Sequence, residues 1–354
     1  MKISIFLDFN LNRNGVGSYF NDLAKFYTEK RNEVAIYNPE GKNKIISSIR
    51  FPNDKTQKIY IPNYFDLKRD TLKNKPDLIF ISFYGPFSFI GARIANKMKI
   101  PYIYVINNDI KKLVSHYNTG FYGFLLKYMG SQVEKNLINK AMSVVVVNPK
   151  LKSIPYSYSP KSVVTMNTLI DSTFIDQKKT DPVTKINSVL YYGRLAKEKN
   201  IELVFDCARS LPHLTFNIAG KGPLKNKVIE VTKNLKNLNF IGWIDRSEII
   251  NTIEKNDMVI MPSSFETFGT VALESLSRGR VVIVRGNHGI REFEILNKCL
   301  FNFSDFNSLA NAIETIAKFD TNKISDISKK SYHAAQAYHT EAKQMWIDLI
   351  KDIN

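Results

Sequence analysis

The sequence predicts an α/β protein made of two units, each with its own parallel β-sheet. Apolar runs of strand length alternate with amphipathic segments along all 354 residues. These runs are continuously apolar, which is typical of parallel strands buried on both faces. A segment rich in Pro, Ser, Lys and Thr, residues 153–185, separates two such series and is predicted to be a connector.

The first series predicts one opening helix and five strands. Residues 15–30 carry Val16, Tyr19, Phe20 and Leu23 at spacings of three and four, as an amphipathic helix requires. Ligands of open parallel sheets bind at the carboxyl ends of strands, so the residues that follow each strand are candidates for a site. The predicted strands are Ile3–Leu7, Glu33–Tyr37, Leu78–Ile81, Tyr102–Ile106 and Ser143–Val147.

The second series begins near Ser188 and repeats the alternation. Its predicted strands are Val189–Tyr192, Thr215–Ile218, Leu238–Ile241, Met258–Met261 and Val281–Val284. The predicted helices between them are Ile201–Arg209, Leu224–Lys233, Arg246–Lys255 and Thr270–Arg278.

The net charge is the compositional feature that bears most on function. The chain carries 50 Lys and Arg against 33 Asp and Glu, a formal net charge of +17. Residues 1–150 hold 23 basic and 11 acidic residues, so +12 of the excess lies there. This asymmetry favours a polyanionic partner or an anionic membrane surface, and a charge spread for solubility is an equal alternative. No compact basic and aromatic module supports a nucleic-acid partner.

The positions of the cysteines and histidines argue against a metal site, and the lengths of the apolar runs argue against a membrane-spanning helix. Cys207 and Cys299 lie far apart, and the five histidines are scattered without a metal-binding motif. The longest uncharged run, residues 78–92, is shorter than the roughly 20 residues that span a bilayer. We therefore expect a cytoplasmic protein without a metal or cofactor, attached at most peripherally to the inner face of the membrane.

Two glycines, Gly15 and Gly17, follow the first strand and open the first helix. The third glycine of a dinucleotide-binding fingerprint is absent, because Phe20 takes its place. A helix start without Cβ atoms lets backbone amides approach an anion, which makes Gly15 a candidate phosphate contact. The alternative is that both glycines serve turn geometry alone.

Two basic residues follow the first strand of the second series. Arg194 and Lys199 lie five residues apart in a loop that leads into a helix. Fixed cations at the carboxyl end of a strand suit a diphosphate. Because Lys197 and Lys199 flank Glu198, a solvated charge cluster is the alternative.

Two acids follow the fourth strand of that series. Glu266 lies in the loop after the strand, and Glu274 lies about one turn inside the next helix. Between them, Phe268, Gly269 and Thr270 bring backbone N–H groups to the helix start. Carboxylate acceptors beside amide donors match sugar hydroxyls, which both donate and accept hydrogen bonds. The alternative is that both glutamates are ordinary solvated acids.

Together these motifs resemble those of the retaining nucleotide-sugar glycosyltransferases of family four, which have the GT-B fold of two Rossmann-like domains facing across a cleft. The resemblance covers nearly the whole chain and rests on the order and spacing of its motifs. It implies an N-terminal acceptor domain over residues 1–170 and a C-terminal donor domain over residues 171–335, with a helix of residues 336–354 packed back on the first. The matching segments are Asn14-Gly15-Val16, Gly193-Arg194-Leu195 with Lys199, Gly220–Leu224, Phe240–Ile244, Glu266 to Glu274 and His288–Glu292.

The resemblance assigns roles to these residues. Arg194 and Lys199 bind the donor's diphosphate and neutralise the charge that develops as it leaves, and Gly15 adds a backbone amide. No Asp-x-Asp triplet occurs in the sequence, which agrees with a metal-independent enzyme. The resemblance implies that Glu266 and the backbone amides of Phe268, Gly269 and Thr270 contact the donor's sugar. It also implies that Glu274 binds the ribose hydroxyls and that Ile244 contacts the base.

Three positions depart from the family pattern. Asn107 stands where the family commonly has a catalytic histidine, and an amide hydrogen-bonds a sugar oxygen but does not titrate near neutrality. Asn14 replaces the first of two loop glycines. Arg280 replaces a proline, and we interpret that change as structural.

The acceptor is expected on the first domain. The segment Phe121–Met129 adds apolar and aromatic residues near Lys111, Lys112 and Lys127. One hypothesis is peripheral attachment to an anionic membrane that carries a lipid-linked acceptor. The alternative is that these aromatic residues pack in the core.

The sequence therefore predicts a retaining, metal-independent hexosyltransferase of the cell envelope or of polysaccharide biosynthesis. Its donor is expected to be a nucleotide sugar, UDP-linked, and its acceptor an envelope glycan, a lipid-linked sugar or an anionic polymer. The alternatives are a nucleotide-sugar epimerase or hydrolase of the same fold and a non-catalytic nucleotide-sugar-binding paralogue. The sugar, the base, the acceptor and the number of subunits stay open.

Overall fold

The computed structural model describes residues 1–11, 15–41, 45–51, 54–109, 121–177 and 181–351. The chain divides into two compact units, Met1–Leu169 and Ile170–Asn354. Each unit holds a six-stranded parallel sheet. The predicted α/β class with two Rossmann-like units is therefore confirmed.

The first unit surrounds a sheet of order β2-β1-β5-β6-β7-β8, with a separate antiparallel hairpin of β3 and β4. Its strands are β1 (Lys2–Phe6), β2 (Glu33–Tyr37), β3 (Ile45–Phe51), β4 (Asp54–Pro62), β5 (Leu78–Ile81), β6 (Tyr102–Ile106), β7 (Ser143–Val146) and β8 (Val163–Thr165). Its helices are α1 (Gly15–Glu29), α2 (Tyr64–Asn74), α3 (Pro86–Met98), α4 (Phe121–Lys140) and α5 (Ser153–Tyr156).

The second unit surrounds a sheet of order β11-β10-β9-β12-β13-β14. Its strands are β9 (Ser188–Tyr192), β10 (Thr215–Ala219), β11 (Leu238–Gly242), β12 (Met258–Met261), β13 (Val281–Val284) and β14 (Leu300–Asn302). Its helices are α6 (Thr173–Asp176), α7 (Glu202–Ser210), α8 (Lys225–Thr232), α9 (Arg246–Glu254), α10 (Thr270–Ser277), α11 (Glu294–Asn297), α12 (Leu309–Ala317) and α13 (Thr321–Lys351).

The predicted strands and helices of both series are confirmed to within a few residues. The predicted connector differs, because strand β8 lies within residues 153–185 and pairs with β7 through Val163 to Thr165. These β-branched residues favour a strand, and the boundary between the units falls after them, at Leu169. The packing of the C-terminal residues on the first unit stays a prediction.

Strand order places a ligand crevice in each sheet. Counted along the chain, the strands of the second sheet run 3-2-1-4-5-6, and its order reverses between β9 and β12. The first sheet reverses between β1 and β5. In open parallel sheets, ligands bind at the carboxyl ends of the strands beside such a reversal.

Arg280 has the structural role that its position predicts. Its side chain is only 5% exposed. The guanidinium donates hydrogen bonds to the backbone carbonyls of Arg278 at 2.8 Å and Asn256 at 3.1 Å, and so fixes the turn that enters β13.

Among the residues that the structure describes, no helix combines the length and apolar character needed to cross a bilayer.

Candidate functional site

The candidate site of the second unit lies at the reversal between β9 and β12. Two loops leave these strands at their carboxyl ends, residues 193–200 and residues 262–269. The sequence predicted Arg194 and Lys199 in the first loop and Glu266 in the second. The fold therefore brings the predicted cations and the first predicted acid to one edge of one sheet.

Hydrogen bonds fix the two loops against each other. Asn200, in a left-handed conformation with φ 49°, donates from its amide to the carbonyl of Pro262 and to Ser264 Oγ, both at 2.9 Å. The backbone N–H of Ser264 donates to the carbonyl of Glu198 at 2.8 Å. The loops therefore hold their charged side chains on a rigid support.

Lys199 and Glu266 form an ion pair across the two loops. Lys199 Nζ lies 2.6 Å from Glu266 Oε1, and the two side chains are 22% and 18% exposed. Burial acts to raise the pKa of Glu266, but the Lys199 ammonium, His288 and a hydrogen bond from Ser263 together outweigh it and hold that pKa below its usual value. Glu266 is therefore an ionised acceptor near neutral pH.

Tyr191 and Glu198 hold Arg194 in place within the same loop. Tyr191 donates its hydroxyl proton to the Arg194 carbonyl at 2.7 Å, and Arg194 Nη1 lies 3.4 Å from Glu198 Oε1. The side chain of Arg194 remains 30% exposed. Glu198 thus helps to orient this guanidinium.

Glycines allow the loops after β9 and β10 to approach each other. A Cβ on Gly220 would lie 1.8 Å from the carbonyl oxygen of Gly193, and one on Gly222 would lie 2.4 Å from that of Leu195. Gly220 also has φ +145°, which side chains rarely adopt. The Gly220–Leu224 motif is therefore needed to position the Arg194 loop.

A third loop, after β13, fixes the backbone around Glu266. Gly289 N–H donates to the Glu266 carbonyl at 3.0 Å, and Ile290 N–H donates to the Phe268 carbonyl at 2.7 Å. Gly269 then adopts φ 106° and begins α10 at Thr270. The amides at the start of a helix have no partner within the helix, so this end of α10 offers donors to a ligand.

Glu274 lies in a second polar cluster, on α10. The Tyr192 hydroxyl donates to Glu274 Oε2 at 2.9 Å, and Arg246 Nε lies 3.6 Å from Asp171 Oδ2. Burial raises the pKa of Glu274, and Arg246 and Tyr192 only partly oppose that rise. Both predicted glutamates are therefore placed in polar clusters, and the solvated alternative is wrong for Glu274, which is 5% exposed.

The remaining predicted residues lie apart from these clusters or beyond the described residues. Ile244 follows β11 and packs on the core that contains Phe268. Gly15 begins α1 and Asn107 follows β6, both in the first unit, so their action on a ligand of the second unit stays a prediction. Asn14, Lys111 and Lys112 lie outside the described residues.

Several polar residues of these clusters were not predicted. Tyr192 holds Glu274, Asn200 joins the loops, and Ser82 and Glu134 lie with Asn107 around a hollow in the first unit. Tyr192 ends a strand and Ser82 follows one, and this position is the one sequence signal that could have identified them. No group of three or more His, Cys, Asp or Glu side chains within the described ranges has the arrangement of a metal site.

Two family models match the chain. The model described as Glycosyltransferase Family 4 matches residues 13–160, and the model described as Glycosyl transferases group 1 matches residues 172–334. Together they cover most of both units.

Relatives agree with these matches. The uncharacterized glycosyltransferase MJ1178 of Methanocaldococcus jannaschii is 23% identical over 251 residues, 67% of this chain but only 64% of that protein. Alpha-monoglucosyldiacylglycerol synthase of Acholeplasma laidlawii is 23% identical over 317 residues, 81% of this chain and 79% of that protein. The solved structure of Anabaena Alr3699/HepE in complex with UDP-glucose has a TM-score of 0.72 at 18% identity, over 99% of this chain and 100% of that chain.

Proposed function

Because the chain belongs to the glycosyltransferases of the GT-B fold and family-four type, we propose that it moves a hexose from a UDP-sugar to an acceptor of the cell envelope, with retention at the anomeric carbon. The observation that carries this proposal is the Lys199–Glu266 pair beside Arg194 at the sheet reversal. Cations for a diphosphate and a carboxylate for a sugar hydroxyl lie within one pair of loops.

The donor binds mainly through charge complementarity. The diphosphate lies against Arg194 and Lys199, as a bound anion does wherever cations are fixed beside amide donors. Glu266 accepts a hydrogen bond from a hydroxyl of the sugar, and Glu274 accepts from the ribose. A relative of this fold binds UDP-glucose, which supports uridine as the base, with the backbone at Ile244 contacting it.

Bond cleavage leaves charge on the diphosphate. The anomeric C–O bond breaks through an oxocarbenium-like state, and the acceptor oxygen bonds to the same face of the sugar. The acceptor's proton passes to a phosphate oxygen of the leaving group. Arg194 and Lys199 stabilise the growing negative charge, and removing such a group typically costs about 10²–10³ in turnover. These two cations supply the charge stabilisation, so we expect activity to survive chelation of divalent metals.

The acceptor is proposed to be lipid-linked and reached at an anionic membrane surface. A relative is named for a diacylglycerol glycolipid, and the first 150 residues carry +12. Phe65 and Phe89 are 78% and 45% exposed. The Phe65 ring lies 5.6 Å from that of Tyr64, and the Tyr64 ring lies 5.5 Å from the guanidinium of Arg93. Exposed aromatic rings among cations suit the interface of an anionic bilayer.

The segment Phe121–Met129, which was predicted to contribute to such a surface, lies on one helix, and its contact with a membrane stays a prediction. Helix α4 spans Phe121–Lys140, and Tyr128 and Met129 are each 58% exposed. These two side chains therefore do not belong to the core. The side chains of residues 121–127, with Lys127, lie outside the described ones.

The experiment on activity uses a panel of nucleotide sugars with and without membrane extract. We expect extract-dependent transfer from one UDP-hexose, insensitive to EDTA, with the anomeric configuration retained by NMR. Nucleotide release that does not depend on extract would favour a hydrolase, conversion of the sugar would favour an epimerase, and a thermal shift without turnover would favour a binding paralogue.

The membrane part is tested by flotation with liposomes. We expect binding to vesicles with anionic lipid and little binding to neutral ones, and loss of binding in a Phe65→Ser, Phe89→Ser variant. Equal binding to both vesicle types would contradict the electrostatic part of the proposal.

A further inference from the structure

The loop after β13, residues 285–292, is hydrogen-bonded to the loop that carries Glu266. Asn287 donates from its side-chain amide to the Ser264 carbonyl at 2.8 Å. The backbone N–H of Gly289 donates to the Glu266 carbonyl at 3.0 Å. One histidine lies between these two donors along the chain, and its ring is hydrogen-bonded to the same loop.

This histidine, His288, is fully buried, with 0% of its side chain exposed. Its Nε2 lies 2.9 Å from the Ser263 carbonyl oxygen, which only accepts hydrogen bonds. Nε2 therefore carries a proton and donates it to that carbonyl. Nδ1 is buried and has no hydrogen-bond partner among the described residues, so a second proton on the ring would be buried without an acceptor.

The surroundings of His288 favour its neutral form. Burial lowers the pKa of His288, and the nearby cations Lys199 and Arg285 lower it further. Glu266 and the hydrogen bond to Ser263 act in the opposite direction and do not outweigh them. The imidazole is therefore neutral near pH 7, and it is a fixed hydrogen-bond donor rather than a proton carrier.

Ser263 connects His288 with the Glu266 carboxylate. Ser263 is itself only 2% exposed. Its carbonyl accepts from His288, and its side chain forms a hydrogen bond that helps to lower the pKa of Glu266, as do the Lys199 ammonium and His288. The ring therefore fixes the backbone of the residue whose side chain holds the carboxylate.

We propose that His288 is a positioning residue, which donates from Nε2 to Ser263 and so orients the Glu266 carboxylate toward a hydroxyl of the donor sugar. The inference rests on the proposed transferase activity and adds a residue that acts through the loop, since the buried ring has no surface for a substrate. Loss of this support misplaces the carboxylate but leaves the cations of the diphosphate in place. Turnover should therefore fall more than affinity for the nucleotide.

The test compares His288→Gln, His288→Asn and His288→Leu in the full-length protein. The amide nitrogen of Gln lies at the same covalent distance from Cα as the histidine Nε2, whereas that of Asn lies closer and Leu has no donor. Transfer from the UDP-hexose that wild type accepts gives kcat and the donor KM, and calorimetric titration with UDP gives the affinity for the nucleotide. The control is His333→Leu, because His333 is exposed on α13.

We expect His288→Gln to lower kcat at most about threefold, because it restores the donor to the Ser263 carbonyl. His288→Asn and His288→Leu should lower kcat about tenfold to a hundredfold, with affinity for UDP changed less than about twofold. The control should match wild type in both measurements.

Two results would overturn the inference. Equal losses of kcat in all three variants would show that the shape of the ring matters and its N–H does not. Unchanged kcat in His288→Asn and His288→Leu would show that Glu266 needs no such support. Either result leaves the proposed function standing, because wild-type transfer is measured in the same assay.

Absence of transfer by wild type would instead remove the proposed function, and this inference with it. If the Asn and Leu variants do not fold, Ser263→Ala decides the matter, since it removes the hydroxyl and keeps the carbonyl that accepts from His288. It should lower kcat about tenfold with affinity for UDP unchanged, and an unchanged kcat would overturn the inference.

Discussion

Acidic side chains at the carboxyl ends of the two sheets have pKa values shifted in opposite directions. In the second unit, Glu266 is paired with Lys199 at 2.6 Å, and the pKa of Glu266 lies below its usual value. In the first unit, burial raises the pKa of Asp8 to about 6, although the backbone N–H of Phe87 donates to it at 2.8 Å. A cation therefore favours the ionised form of Glu266, whereas burial disfavours the ionised form of Asp8.

This difference indicates two modes of recognition. In the proposed donor complex, a diphosphate would compete with Glu266 for Lys199, and the released carboxylate would accept a hydrogen bond from a sugar hydroxyl. In the first unit the buried amide of Asn107 has no described partner to lose. A ligand group that reached Asn107 would therefore form hydrogen bonds without displacing a described partner.

The largest effect is expected from breaking the pair of the second unit. Lys199→Ala removes one of the two cations on the diphosphate and leaves Glu266 buried without its counter-charge. We expect kcat to fall roughly a thousandfold. The matched control is Lys197→Ala, in the same short turn but exposed, which should retain nearly full activity. Equal losses in both variants would show that the general charge of the loop is what matters.

The buried acid Asp8 of the first unit gives a prediction on stability. Because the folded-state pKa of Asp8 is raised from 3.8 to about 6, its contribution to folding is complete below pH 3.8 and is lost as pH rises through 6. Asp8→Asn does not ionise, so its melting temperature relative to wild type should rise between pH 4 and pH 6.5.

Between pH 4 and pH 6.5, the free energy of unfolding of Asp8→Asn relative to wild type should increase by at most about 3 kcal/mol. Thermal unfolding at several pH values measures it, with Asp77→Asn in the same unit as control. A constant difference across this range would show that the hydrogen bonds from α3 balance the burial of Asp8.

Periodicity and motif spacing predicted the parts of the fold that depend on local sequence. The strands of both sheets are continuously apolar, so they were recognisable, whereas the β3–β4 hairpin has mixed residues and lies outside the sheets. The family resemblance assigned Arg194, Lys199 and Glu266 to one donor molecule, and the structure brings Lys199 and Glu266 into contact. The partners Tyr192 and Asn200 were missed because their contacts span 82 and 62 residues of sequence.

A moderate effect is expected at the ribose cluster. Glu274→Ala removes an acceptor held by Tyr192 and leaves that hydroxyl without its charged partner. A hydrogen bond to a charged group contributes about 1.5–3 kcal/mol, so affinity for UDP should fall roughly tenfold to a hundredfold. Calorimetric titration with UDP measures this, with the exposed Glu248→Ala on α9 as control. Unchanged affinity would place the ribose elsewhere.

The smallest expected effect comes from the two glycines that open α1. A Cβ on Gly17 would lie 2.1 Å from the Asn10 carbonyl oxygen, so Gly17 is required by the turn itself. A Cβ on Gly15 meets no atom within 4 Å, so Gly15→Ala should leave the melting temperature unchanged. If the Gly15 amide approaches the donor's phosphates, the added methyl group should raise the donor KM about tenfold with little change in kcat. An unchanged KM would show that Gly15, like Gly17, serves the turn alone.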